Sequence, residues 1–217
     1  MSTADTLRIT EIFHSLQGEA RTVGIPTVFV RLTGCPLRCQ YCDTAYAFEG
    51  GEIISLSDIV GRIKAFGCGY VTVTGGEPLA QPNCLKLLTA LCDEGLQVSM
   101  ETSGAMAVDD VDPRVSIVLD LKTPASLEAD RNRYENIPLL AEKDQVKFVI
   151  CDKADYEWSK SKLLQYNLAE RVSEVLFSPS HEELPARNLA EWILADKLGV
   201  RMQVQLHKML WGTEQGR

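Results

Sequence analysis

The chain has 217 residues, 22 basic against 30 acidic side chains, a formal charge of −8 and 45% hydrophobic residues. A chain of this length buries a sizeable core, and its composition excludes disordered and fibrous folds. With a pI near 5.0 it has no long-range pull on phosphate backbones or anionic lipid, so a small ligand or a protein is the expected partner, not nucleic acid or a membrane.

Thr27-Val-Phe-Val-Arg-Leu-Thr33 is a β-branched run ending at Gly34, and it predicts a strand that opens into a cysteine-rich loop. Residues from Ser57 to Phe66 carry helical spacing behind a serine able to cap them, and Tyr70-Val-Thr-Val-Thr74 predicts the next strand. Pro82 to Asp93 reads as a helix with Leu85, Leu88 and Leu91 on one face. Gln97 to Thr102 and Ser116 to Asp120 read as strands. Lys122 to Asp144 is polar and without period, which suggests a long connection able to move over a site. Gln145 to Ile150 reads as a strand, Lys153 to Tyr166 as a helix, Glu174 to Ser178 as a strand, Arg187 to Leu198 as a helix and Val200 to His207 as the last strand.

Strands separated by helix-length connections imply parallel pairing through right-handed crossovers, an α/β fold. Eight β/α units need about 250 residues and about six fit here, so an incomplete parallel (β/α)6-type barrel is expected ahead of a doubly wound sheet. No linker or repeat interrupts the chain, and residues 1–217 read as a single domain. The stretch Met1-Ser-Thr-Ala-Asp-Thr-Leu-Arg8 lacks the features of a signal peptide, and no run of apolar residues is long enough to span a bilayer, so a cytoplasmic protein is expected. Seven cysteines, an odd number, argue for reduced thiols. Cys68, Cys84, Cys92 and Cys151 are scattered and read as small core hydrophobes.

In either parallel architecture ligands gather at the carboxyl ends of the strands. Those ends carry Gly34-Cys-Pro-Leu-Arg-Cys-Gln-Tyr-Cys42, Thr74-Gly-Gly-Glu-Pro78, Glu101-Thr-Ser-Gly104, Asp120-Leu-Lys122, Ser178-Pro-Ser-His181 and Gln205-Leu-His207. The spacing C-x3-C-x2-C of Cys35, Cys39 and Cys42 suits a 4Fe-4S cubane, because one short loop reaches three corners and leaves the fourth iron without a protein ligand. Structural zinc wants four ligands; the nearest further candidate, His14, lies far upstream, and there is no second C-x2-C. A redox reading of Cys39-Gln-Tyr-Cys42 leaves Cys35 over and opens no helix.

A three-cysteine loop after the first barrel strand, followed by Gly-Gly-Glu-Pro after the second, resembles the radical S-adenosylmethionine enzymes. Glu11-Ile-Phe-His-Ser-Leu-Gln-Gly-Glu19, Phe29-Val-Arg-Leu-Thr-Gly-Cys35, Cys42-Asp-Thr44, Glu101-Thr-Ser-Gly104 and Gln205-Leu-His-Lys208 narrow the resemblance, nearly end to end, to the 7-carboxy-7-deazaguanine synthases. The resemblance implies a modified, compact radical SAM barrel. It also implies ring contraction of 6-carboxy-5,6,7,8-tetrahydropterin to 7-carboxy-7-deazaguanine with loss of ammonia, a step toward queuosine and other 7-deazapurines. The cofactors implied are a 4Fe-4S cluster, S-adenosylmethionine and Mg²⁺. The partners implied are a flavodoxin-like or other electron donor and a second copy of the chain in a homodimer.

The resemblance assigns Cys35, Cys39 and Cys42 to the cluster and Thr44 to Mg²⁺, a cation that prefers hard oxygen ligands. It assigns Gln40, Tyr41, Gly75, Gly76, Glu77, Glu101, Asp120, Lys122 and Ser178 to S-adenosylmethionine, with Glu77 as an anion for the methionine ammonium and Glu101 for ribose hydroxyls. Relatives often carry Ser-Pro-Lys at Asp120-Leu-Lys122, so Lys122 matches more closely than Asp120. Leu16, Gln17, Gly18, Glu19, Arg31, Thr74 and His207 fall to the pterin. A carboxylate such as Glu19 accepts a pterin's paired N–H edge, and Arg31, in an apolar strand, needs an anion, either the substrate carboxylate or a neighbour such as Glu11. In some members the terminal carboxylate binds the pterin at a place that falls here at Thr213. Since Glu214-Gln-Gly-Arg217 continue past it, Trp211 is expected to cover the pocket while the terminal residues stay mobile.

Two other readings share these motifs. One is a radical SAM activase making a glycyl radical on a protein, which needs an open groove for a polypeptide. The other is a zinc- or cluster-stabilised binding module, which iron analysis of anaerobically purified protein separates from an enzyme.

Overall fold

The computed structural model describes residues 5–217; residues 1–4, part of the N-terminal stretch read above for signal-peptide features, lie outside it. One nine-stranded sheet forms the frame, in the order β3-β1-β2-β4-β5-β6-β7-β8-β9. Strands β2 (Pro26–Leu32), β4 (Tyr70–Gly75), β5 (Gln97–Thr102), β6 (Ser116–Asp120), β7 (Gln145–Ile150), β8 (Glu174–Pro179) and β9 (Arg201–Met202) each run parallel to the next. Strand β1 (Thr6–Leu16) pairs antiparallel with β2, and β3 (Glu52–Ser55) antiparallel with β1. Since β3 and β9 are unpaired edges, the sheet does not close, and the fold is the incomplete barrel expected.

Period-two alternation gives the sheet two unlike faces. Val28, Val30 and Leu32 on β2, Val71 and Val73 on β4, and Val146, Phe148 and Ile150 on β7 join one apolar cluster. Helices α1 (Leu56–Ala65), α2 (Cys84–Asp93), α3 (Lys153–Gln165) and α5 (Ala186–Asp196) cover it with Ile59, Ile63, Leu87, Leu91, Leu163, Leu189 and Ile193. The intervening positions, Phe29, Arg31, Thr74, Glu101, Asp120 and Lys147, line a cavity on the opposite face. Helix α1 starts where its serine predicts: Ser55 Oγ accepts the Asp58 amide at 3.1 Å.

Several segments differ from the sequence reading, among them the short β3, which it did not predict. Strand β1 was not anticipated, because a bulge between Ile9 and Glu11 breaks its alternation. The region Val200 to His207 alternates like a strand, but only Arg201–Met202 stays in the ladder. Gln203 turns to the β1–β2 loop, taking the Ala20 amide at 2.7 Å and donating to the Ala20 carbonyl at 2.9 Å. After a short α4 (Leu168–Arg171) earlier in the chain, the last element is α6 (Leu206–Trp211), so His207 sits in a first helical turn and not at a strand end. Finally, the stretch Lys122 to Asp144 is a series of 3-10 turns tied down at several points. Asn132 brackets Lys122 with two bonds of 2.8 Å, and Asn136 Nδ2 donates to the Gly104 and Met106 carbonyls.

Candidate active site

A cavity of about 420 Å³ opens on the polar face of the sheet, large enough for ligands of nucleoside size. Cys35, Cys39 and Cys42 form one wall. Their loop is fixed by its own backbone: Gly34 donates to Ala47 at 2.8 Å, Gln40 to Ser126 at 3.1 Å, and Arg38 caps the Cys35 and Leu37 carbonyls at 2.7 Å while stacking on Phe48. The Gly75-Gly76 turn packs directly against it. A Cβ on Gly76 would come within 2.0 Å of the Gly34 carbonyl oxygen, so only glycine fits. Burial pushes the Cys39 thiol up to about 11, against the pull of Lys122. Lys122 pairs with Asp120 at 3.0 Å, and burial, which would discharge it, is outweighed by that carboxylate.

The opposite wall is built from the β1–β2 loop. Glu19 is buried; one oxygen meets Lys147 Nζ and the other accepts Gln205 Nε2 at 2.6 Å. Burial raises the Glu19 carboxyl, but Lys147 overcomes it and the net direction is down. Gln17 takes the Glu19 amide at 3.1 Å and donates to Thr72 and Glu101, while Thr74 donates to the other Glu101 oxygen at 3.1 Å. Burial and the Glu19 charge push the Glu101 carboxyl up. His207 packs on Gly18, where a Cβ would meet its Nδ1 at 2.1 Å, and burial lowers its pKa. Arg31 donates from Nε to Glu11 at 2.7 Å, and Tyr46 donates to the same oxygen at 2.8 Å. Beside them Thr44 donates to Asp43 at 2.8 Å, and Asp43 pairs with Lys208 at 3.2 Å.

A family model for the radical SAM superfamily matches residues 29–124. The 7-carboxy-7-deazaguanine synthase of Chlorobaculum tepidum is 44% identical over 99% of this chain and 98% of its own length. That of Koribacter versatilis is 41% identical over 96% and 98%. The chain belongs to the 7-carboxy-7-deazaguanine synthase family. Among solved structures, QueE from Escherichia coli superposes with a TM-score of 0.72 at 24% identity, covering 93% of this chain and 95% of that one, and has the same fold.

Membership in this family implies a 4Fe-4S cluster and S-adenosylmethionine, and the residues present fit both. Three thiols of one loop face the cavity with the Lys122 charge behind them, and Asp120 Oδ1 is a buried carboxylate oxygen with no partner in the protein. Among the described residues no three His, Cys, Asp or Glu side chains converge as a finished metal cage, so the fit rests on donor type and placement.

Seventeen of the residues singled out in the sequence line this cavity, from Leu16, Gln17, Gly18 and Glu19 to His207. Three do not. Glu77 is fully buried and its carboxylate accepts hydrogen bonds from Leu79 N, Thr102 Oγ1, and Ser103 N and Oγ, locking one strand-end loop to the next. Gln40 is exposed and turns to Glu183. Ser178 stays in β8 opposite Val149, and Ser180 and His181 reach the cavity instead. Arg31 has the Glu11 partner that the sequence reading set beside the substrate carboxylate, yet it still faces the cavity. At the tail, Thr213 and Arg217 line the cavity and Trp211 does not, unlike the expected cover by Trp211. Lys147, Asp43 and Lys208 were missed. Lys147 had a signal: between Val146 and Phe148, both committed to the core, alternation points it the other way.

Proposed function

We propose that this protein converts 6-carboxy-5,6,7,8-tetrahydropterin into 7-carboxy-7-deazaguanine and ammonia, in queuosine or related 7-deazapurine synthesis. The observation that carries this reading is one cavity with the three-cysteine loop on one wall and the Gln17–Glu19–Arg31 set on the other. Bound at the thiols, the cluster with S-adenosylmethionine supplies hydrogen-atom abstraction. The chain's own residues do the positioning. Glu19 and Gln17, with the Leu16–Gly18 backbone, accept and donate along the pterin's guanidine-like edge, and His207 closes that side. Arg31, its plane set by Glu11 and Tyr46, takes the substrate carboxylate. Since Thr44 gives its proton to Asp43, its oxygen lone pairs remain for Mg²⁺ beside that carboxylate. Gly75 and Gly76 admit the methionine moiety; Tyr41, Asp120 and Lys122 border the adenosyl end. Glu101 stands between the two ends, bonded to Gln17 and Thr74.

On the same reading the chain is one domain that works in the cytoplasm as a homodimer and takes its electron from a flavodoxin-like or other one-electron donor. Among the described residues no helix is long and apolar enough to cross a membrane. Activation of a protein substrate is not favoured, because the β1–β2 loop and the segment before α6 wall the cavity against a polypeptide. The test is anaerobic incubation of cluster-loaded protein with reductant, S-adenosylmethionine, Mg²⁺ and the carboxytetrahydropterin. Mass spectrometry should find the deazaguanine, and cleavage of S-adenosylmethionine without that product would refute the assignment.

A further inference from the structure

Lys147 lies in the middle of β7 on the cavity face, and its side chain is 11% exposed. Its ammonium contacts Glu19, which the β1–β2 loop carries across the sheet to meet it. Glu19 is thereby gripped from three places. Lys147 holds one carboxylate oxygen, Gln205 ahead of α6 holds the other at 2.6 Å, and Gln17 fixes the main-chain amide at 3.1 Å. We propose that Lys147 is a positioning residue of the substrate site, holding Glu19 charged and in one orientation for the pterin's N–H edge without touching the substrate itself. The proposal rests on the reading that Glu19 faces the pterin.

The electrostatic setting explains why such a residue is needed. The charged groups facing this pair come from several elements: Glu101 on β5 and His207 on α6 act on Glu19, Asp120 on β6 acts on Lys147, Asp43 in the cysteine loop and Lys208 on α6 act on His207, and Arg31 on β2 acts on Glu101. Burial alone would protonate Glu19, and the Glu101 carboxylate nearby would reinforce that, because like charges in a dry site disfavour each other. A protonated Glu19 would present a donor where the pterin also presents donors. Lys147 reverses the balance, and Glu101, not Glu19, takes the upward shift. The assignment of charge between the two carboxyls therefore depends on a lysine in the middle of a strand.

The test uses anaerobically prepared, cluster-loaded enzyme with S-adenosylmethionine present and reads pterin affinity by equilibrium dialysis beside kcat and KM. Lys147→Met should weaken the pterin about tenfold or more at pH 7, with iron content and S-adenosylmethionine affinity unchanged. Because the variant's Glu19 must lose a proton to bind, part of the loss should return as the pH is raised to about 9, where the parent enzyme shows no such gain. Lys147→Arg should restore most of the affinity. Should Lys147→Met fail to fold, Lys147→Gln, which keeps a hydrogen bond but no charge, carries the same expectation. In a Glu19→Gln background, removing Lys147 should change nothing further. A full additional loss there, or unchanged affinity in Lys147→Met, overturns the proposal. Unchanged affinity in Glu19→Gln alone would instead show that Glu19 does not face the pterin, a failure of the underlying reading that the single-variant comparison identifies.

Discussion

Cys35, Cys39 and Cys42 are separated from the other thiols by what they face. Cys84 is fully buried in the apolar cluster, and Cys151 is engaged with Glu183 and Ser180, whereas the loop thiols look into the cavity. Replacing any one of the three with alanine should abolish activity and lower iron and sulfide content while the circular dichroism stays native, because none of them carries the core. Cys151→Ala should keep its iron. A fully loaded, active Cys39→Ala protein would remove the cluster from this loop. Thr44 makes a second residue-scale test. In Thr44→Val the alkyl group offers no lone pair and Asp43 loses its donor, so the Mg²⁺ concentration for half-maximal rate should rise about tenfold at normal cluster content. An unchanged Mg²⁺ titration would place the metal elsewhere.

At the scale of elements, the cysteine loop and the Gly75-Gly76 turn behave as one unit. Gly76 donates to the Leu32 carbonyl at 3.1 Å and Glu77 to the Gly34 carbonyl at 2.8 Å, so two strand-end loops share a backbone ladder. Gly76→Ala would drive a methyl into the Gly34 carbonyl and to within 3.0 Å of Cys35 Cβ. The expected result is a loss of about 2–4 kcal/mol in denaturant unfolding together with reduced cluster loading. Native stability in that variant would show the two loops free to separate. How much of this was legible follows from how each element keeps its period. Strands β2 and β4 to β8 announce themselves by apolar residues at alternate positions, since one face of the sheet packs under helices while the other lines the cavity. In β1 a bulge shifts the alternation midway, and in Val200 to His207 the alternation survives although Gln203 leaves the ladder to bond Ala20. The motif residues were legible as a set. The Asp43–Lys208 pair was not, because nothing local in either segment signals a partner across the molecule.

For the whole molecule the decisive joint is the one between its two far ends of sheet. Gln203 and Ala20 exchange two hydrogen bonds, Leu206 N donates to the Gly18 carbonyl at 3.0 Å, and Arg21 N donates to Gln145 at 2.7 Å. These contacts do for the open sheet what another strand would do for a closed barrel. Gln203→Leu should cost about 2–4 kcal/mol, since two bonds are lost and the Ala20 amide and carbonyl stay buried. It should also raise KM for the pterin more than for S-adenosylmethionine, because the loosened loop carries Glu19. Equal effects on both would mean the joint supports the whole cavity and not one wall. The same joint orders events during synthesis. The cysteine loop and its glycine partner leave the ribosome long before Gln203, which closes on a residue 183 positions earlier, the kind of distant pairing that forms last. A nascent chain therefore presents its three thiols in an unfinished vessel, and cluster delivery has its widest access before the final segment seals the wall.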